Sequence, residues 1–202
     1  MTLEHGYEIY GEDWAPPGGW GSYTVHRVVP IGGWINLHDA LVYSDNIYFA
    51  RCALDMGYDT FNNGMKSLGY GQEVPGVYKV DTSQITSEGV VADGHETGLA
   101  DSAYGQYQVM TTPLQQALTY ACLENAGKIM KPCYTLDEEP EVWIDTGTSQ
   151  ENIDFIKNAL RDAVTVQHPS ADASDVGANV YAKTGTAEIG VDGSTNLGWI
   201  CG

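Results

Sequence analysis

The run Thr112-Pro113-Leu114-Gln115 fixes a helix start more firmly than any other feature of this chain. A threonine hydroxyl accepts from the amide three residues on, and proline suits the first helical position, where an N–H would have no partner. Leu114, Ala117, Leu118, Ala121 and Cys122 then recur at helical spacing, and Gly127 offers a C-terminal stop. Thr148 to Glu151 repeats the capping spacing and introduces Ile153, Ile156, Leu160, Ala163 and Val164 on one face, ending before Pro169. Beyond residues 170–178, a loop of small residues, the period changes. Residues 179–189 read as a strand, 190–194 as a turn and 195–202 as a second strand.

Upstream, Asn36 is a good N-cap for a helix running through Leu37 to Val42. Ser44-Asp45-Asn46 interrupts it, and a second apolar run from Ile47 to Met56 ends at Gly57. Asp59 can then cap a short helix that stops at Gly69. Residues 1–35 are rich in glycine, proline and aromatics and read as irregular, and 70–108 as a long connection. The expected organisation is an irregular N-terminal segment over 1–35, a helical region over 36–178, and a β-hairpin over 179–202.

The 202 residues are 43% hydrophobic and only 18% charged, enough to bury a sizeable core. Nine Lys and Arg against 27 Asp and Glu leave a net charge of −18, spread along the whole length. Without a basic patch, nucleic acid and anionic membrane surfaces are poor candidates as partners, and nucleic acid is all but excluded. No stretch of 18 apolar residues occurs, and the first ten residues lack the layout of a signal peptide. Cys52, Cys122, Cys133 and Cys201 are widely separated and read as buried thiols rather than disulfides or metal ligands. His5, His26, His38, His95 and His168 show no paired ligand spacing, and the acidic cluster 137–141 lacks calcium-loop spacing. Neither a metal nor an organic cofactor is expected.

Two short motifs carry chemistry: Ser44-Asp45-Asn46 between helices, and Lys183-Thr184-Gly185-Thr186 on a strand. Taken singly, the first could be a helix break with caps and the second an exposed hairpin strand. Together they match two of the three motifs of serine acyl-transfer enzymes that react with penicillin. Their flanks extend the match. Asn36 through Ala50, Tyr104-Gly105-Gln106 through Gln115, Asn125 through Pro132, Ala182 through Glu188 and Leu197-Gly198-Trp199-Ile200 resemble the transpeptidase domain of penicillin-binding proteins, nearest its class B members.

The resemblance implies an α/β fold in which a helical region packs against an antiparallel sheet, here with two recognisable strands. It implies peptidoglycan cross-linking through a serine ester, with stem peptides ending in D-Ala-D-Ala as substrate and β-lactams as inhibitors. By the same resemblance Ser44 would relay a proton to the leaving amine and Asn46 would hold the substrate backbone. Lys183 would supply positive charge, and Thr184 and Thr186 hydroxyls would meet the substrate carboxylate. Gly185 would allow close approach of the substrate strand, and the Thr186 N–H would form half of an oxyanion hole. The family works outside the cytoplasmic membrane, tethered by an N-terminal helix.

One departure stands out. The nucleophile motif S-x-x-K should precede Ser44, yet no serine among these residues is followed by lysine at the third position. The expectation is a domain cut at both ends, soluble and inactive by itself. A serine β-lactamase or β-lactam sensor, and a non-catalytic binding module of the same fold, are the alternatives. A two-stranded hairpin with open edges is further expected to associate with a second copy or to be covered by the N-terminal segment.

Overall fold

The computed structural model describes residues 2–189 and 195–202. The expected turn over 190–194 lies outside them. The N-terminal segment is more ordered than its composition suggests. Strand β1 (Gly6–Ile9) pairs antiparallel with β4 (Gly33–Asn36), Tyr7 opposite Ile35, and β2 (Asp13–Trp14) pairs with β3 (Val25–His26). These strands are short, and their turns are glycine-rich, so period-2 alternation has no length over which to register. The count of two strands is thereby corrected: among the described residues eight strands form four antiparallel pairs.

Helix α1 (Leu37–Tyr43) opens as expected, with Asn36 Oδ1 accepting from the Asp39 amide at 3.0 Å. Helix α2 (Asn46–Ser67) follows at once and is broken at Gly57 (φ 79°, ψ 168°), which any side chain would strain. Tyr7, Ile9, Val25 and Ile35 of the strands close over Ala40, Ile47, Tyr48 and Ala50 of the two helices as one buried cluster. A second cluster joins Ala53 and Phe61 of α2 to Tyr70, Ile85, Val91 and Leu99. Buried Asn62 steadies it: Nδ2 donates to Val91 O at 3.0 Å, and Oδ1 accepts from Val91 N at 2.9 Å.

Within 70–108 lies a helix the sequence does not announce, α3 (Glu96–Ser102). Its cap is His95, whose Nδ1 accepts from Gly98 N at 2.9 Å, an acceptor outside the usual capping residues. Helix α4 (Pro113–Ala121) starts at Thr112 as expected, but its regular turns end well short of Gly127. The chain continues in tight turns until Gly127 (φ 78°), whose N–H reaches Cys122 O at 2.8 Å. A Cβ there would stand 3.2 Å from Thr146 Oγ1. Strands β5 (Lys128–Met130) and β6 (Val142–Asp145) pair next. Helix α5 (Gln150–Asp162) is capped by Ser149, one residue beyond the expected Thr148, with Oγ accepting from Asn152 N at 3.3 Å. Thr148 instead shares a 2.8 Å hydroxyl contact with Thr146.

The final pair is β7 (Lys183–Ile189) with β8 (Thr195–Cys201), Gly185 facing Trp199. Two short 3₁₀ turns, Pro169–Ala171 and Ser174–Val176, precede it. Each hairpin strand pairs only with the other among the described residues. The four cysteines remain thiols; Cys122 is buried, while Cys133 is exposed, against expectation. No described helix is long and apolar enough to cross a membrane.

Candidate active site

Ser44 ends α1 in the left-handed conformation (φ 56°, ψ 50°), its N–H returned to Ala40 O. A non-glycine residue held this way costs roughly 1–2 kcal/mol, so the surroundings must impose it. The next residue does. Asp45 is fully buried and caps α2, its Oδ1 accepting from Tyr48 N at 3.0 Å. Its Oδ2 receives a 2.5 Å hydrogen bond from the Arg27 guanidinium, itself buried. Arg27 Nε also donates to Gly11 O at 2.9 Å. The Ser44-Asp45-Asn46 corner is therefore both a helix break with a cap and a rigid mount for its two outer side chains.

Those side chains point to different partners. Lys183 Nζ, at the start of β7, donates to Ser44 Oγ and to Thr184 O, the latter at 3.0 Å. The Ser44 contact joins residues 139 apart in the chain. Burial pushes the Lys183 ammonium below its ordinary range, which makes its proton easier to give up to the Ser44 oxygen. Asn46 Nδ2 donates instead to His26 O at 2.9 Å, leaving the amide oxygen as the atom for a ligand.

Along β7, Thr184 Oγ1 stands 3.3 Å from His168 Nε2, and Thr186 O accepts from Gln106 Nε2 at 3.4 Å. A Cβ built on Gly185 would meet Trp199 Cβ at 3.6 Å, an ordinary contact, so packing inside the hairpin does not require glycine there. A cavity of about 590 Å³ separates β7 and β8 from the helical region, with Lys183, Tyr104, Tyr120 and Trp199 among its walls. A larger cleft of about 1050 Å³, between residues 2–4 and α5, holds none of the motif residues.

One wall is anchored by a shared carboxylate. Tyr23 donates to Asp101 Oδ2 at 2.5 Å and Tyr104 to Oδ1. Burial, then the Asp101 bond, pushes the Tyr23 phenol up to about 12 and Tyr104 higher still, so both remain donors. Trp20 Nε1 adds a 2.9 Å bond to Glu96. The N-terminal segment is thus tied to α3.

The fold brings the motif residues Ser44, Lys183 and Thr184 to one place and adds Arg27, Gln106 and His168 from outside the motifs. Arg27 carried one usable signal: a lone cation inside Val25-His26-Arg27-Val28-Val29 needs a buried partner. Gln106 lies in a flank that resembles the family, but nothing local marks its contact with β7 or that of His168, which span 80 and 16 residues.

Comparison with known proteins identifies the family. The model of the penicillin-binding protein transpeptidase domain matches residues 2–202. Penicillin-binding protein 3 of Bacillus subtilis is 36% identical over 202 residues, covering 96% of this chain and 30% of that protein. The peptidoglycan D,D-transpeptidase PbpA of Mycolicibacterium smegmatis is 26% identical over 170 residues, 80% of this chain and 34% of that protein. The chain thus spans about a third of the length of these relatives. A crystal structure of PBPA from Mycobacterium tuberculosis superposes with a TM-score of 0.83 at 21% identity, over 99% of this chain and 47% of that one. The same fold was solved there as a penicillin G acyl-enzyme complex, with a TM-score of 0.78. The chain belongs to the penicillin-binding protein transpeptidase domain family.

Proposed function

We propose that this chain forms the substrate-recognition and proton-transfer part of a peptidoglycan D,D-transpeptidase. Its ligand is a stem peptide ending in D-Ala-D-Ala, and β-lactams compete as mimics. The observation that carries the reading is the Lys183–Ser44 contact between the two motifs. When the scissile C–N bond breaks, the departing D-Ala nitrogen needs a proton. Ser44 gives its hydroxyl proton and regains one from the Lys183 ammonium, leaving a neutral lysine amine that burial tolerates.

Gly185 supports the same reading from the other side. Glycine is not needed for hairpin packing, and its bare edge admits a peptide strand close to the backbone. Thr184 and Thr186 then offer hydroxyls to the terminal carboxylate, the Thr186 N–H faces the scissile carbonyl oxygen, and the Asn46 amide oxygen accepts from the peptide backbone. Since no serine in this sequence has lysine at the third following position, the reading gives these residues binding and proton transfer and assigns the ester elsewhere. Similarity to peptidoglycan D,D-transpeptidases supports a site of action outside the cytoplasmic membrane, where peptidoglycan is cross-linked.

NMR titration with acetyl-D-Ala-D-Ala, and fluorescent penicillin followed by intact-mass spectrometry, test this together. The expected outcome is reversible perturbation of Lys183 and Thr184 resonances by acetyl-D-Ala-D-Ala, with no covalent adduct. A stable penicilloyl adduct on this chain would sink the assignment of the ester to another segment. Absence of any response to the D,D-peptide would remove the functional reading itself.

A further inference from the structure

Besides Gln106, one more side chain outside the motifs, His168, touches β7. Helix α5 widens at its end, and Ala163–Gln167 forms a single π-turn packed against α1. Such turns are rare and occur often at functional positions. This one delivers His168, whose backbone leaves helical space (φ −133°, ψ 55°) just before Pro169. The His168 backbone is held on both sides, with its N–H donating to Val164 O at 3.0 Å and its carbonyl accepting from Ala171 N at 2.8 Å. Arg161 pins the loop beyond, to Asp172 Oδ1 at 2.7 Å and to Val180 O at 3.2 Å. His168 Nε2 thereby stands 3.3 Å from Thr184 Oγ1.

A hydroxyl has one proton to give. If Thr184 gives it to His168, none is left for a ligand; if Nε2–H donates to Oγ1, the Thr184 proton must turn outward. We propose that His168 is a positioning residue that sets the direction of the Thr184 hydroxyl and so selects a ligand ending in a carboxylate over the same ligand ending in a carboxamide. A carboxylate only accepts, and takes the outward proton as a charge-assisted bond; a carboxamide oxygen is the weaker acceptor. Lys183 supplies charge but not this selection, because three rotatable N–H groups on a flexible stem impose little direction. The inference rests on reading β7 as the carboxylate-binding strand.

The test titrates the full 202-residue chain with acetyl-D-Ala-D-Ala and with its C-terminal amide, following backbone resonances, and takes the ratio of the two dissociation constants. Wild type favours the carboxylate. His168→Leu lowers that preference about tenfold, the size of one lost hydrogen bond to a charged group. His168→Gln, whose amide can still donate, retains most of it. His168→Glu, which can only accept, turns the Thr184 proton inward and lowers the preference as His168→Leu does, giving a second route if the apolar variant does not fold. In a Thr184→Val background His168→Leu changes the ratio no further, an outcome that a merely structural role would not produce. A ratio unchanged by both His168→Leu and His168→Glu overturns the assignment, as does an equal effect with and without the Thr184 hydroxyl. If wild type selects the carboxylate and the His168 variants still do, only the role of His168 falls. If wild type binds neither peptide, the reading of β7 falls and takes this one with it.

Discussion

Arg27 and Asp45 form an ion pair at 2.5 Å with neither side chain exposed to solvent, directly beneath the corner that carries Ser44 and Asn46. Truncating one member leaves a buried charge without its partner, which costs about 3–5 kcal/mol. Arg27→Met should therefore lower the denaturation midpoint sharply. Asp45→Asn keeps a side-chain oxygen for the Tyr48 amide and removes the buried charge, so the double variant should recover much of the loss. Urea unfolding of the four proteins checks this; additive losses in the double variant would show that the two residues are not coupled.

Ser44 predicts an asymmetry between two small substitutions. Its left-handed backbone is strained for any residue with a Cβ but not for glycine. Both Ser44→Gly and Ser44→Ala remove the hydroxyl that meets Lys183, yet the glycine variant should be more stable by about 1 kcal/mol. Thermal melts of the pair measure it, and equal melting temperatures would refute it.

The lysines should titrate in a definite order. Burial lowers Lys183, while hydrogen bonds donated to carboxylate partners raise Lys131 and Lys157. A lysine depressed in the folded state binds fewer protons there than when unfolded. Its contribution to stability therefore rises with pH between its folded value and the unfolded value near 10.5. NMR titration of ¹³C-methylated lysines should show Lys183 losing its proton first. Lys183 titrating with or above Lys131 would contradict the burial.

The hairpin predicts concentration-dependent pairing of two copies. Ile200 and Leu197 are exposed at 71% and 46%, and among the described residues β8 pairs with one strand, which leaves its other edge without a strand partner there. Sedimentation velocity should show self-association that Ile200→Lys reduces. A monomer unchanged at high concentration, with β8 amides exchanging freely, would contradict this.

How much of this was legible beforehand divides by the range of the interactions. Asn36, Thr112 and Gly57 act on amides or dihedrals a few residues away, so their types and spacing disclose the helix starts and the break. The β1–β4 and β2–β3 pairs rest on short strands stabilised by a cluster drawn from α1, α2 and α3, and their sequence carries no period long enough to read. Helix α3 hid behind a histidine cap. Within the site, the motifs located Ser44 and Lys183, but the turn of Asn46 toward His26, the mount under Asp45 and the approach of His168 depend on the tertiary fold.

The contact between Ser44 and Lys183 also has a kinetic meaning. The β5–β6 and β7–β8 hairpins close short loops, whereas this single contact closes one of 139 residues. Chain-closure entropy places such a bond late in assembly, after the local pairs have formed. It is also among the first to open in partial unfolding, since few buried groups hold it shut. A chain that has collapsed, made its helices and protected most of its amides can therefore still be incompetent, and proton transfer between these two residues would report the last step of maturation rather than the bulk of folding.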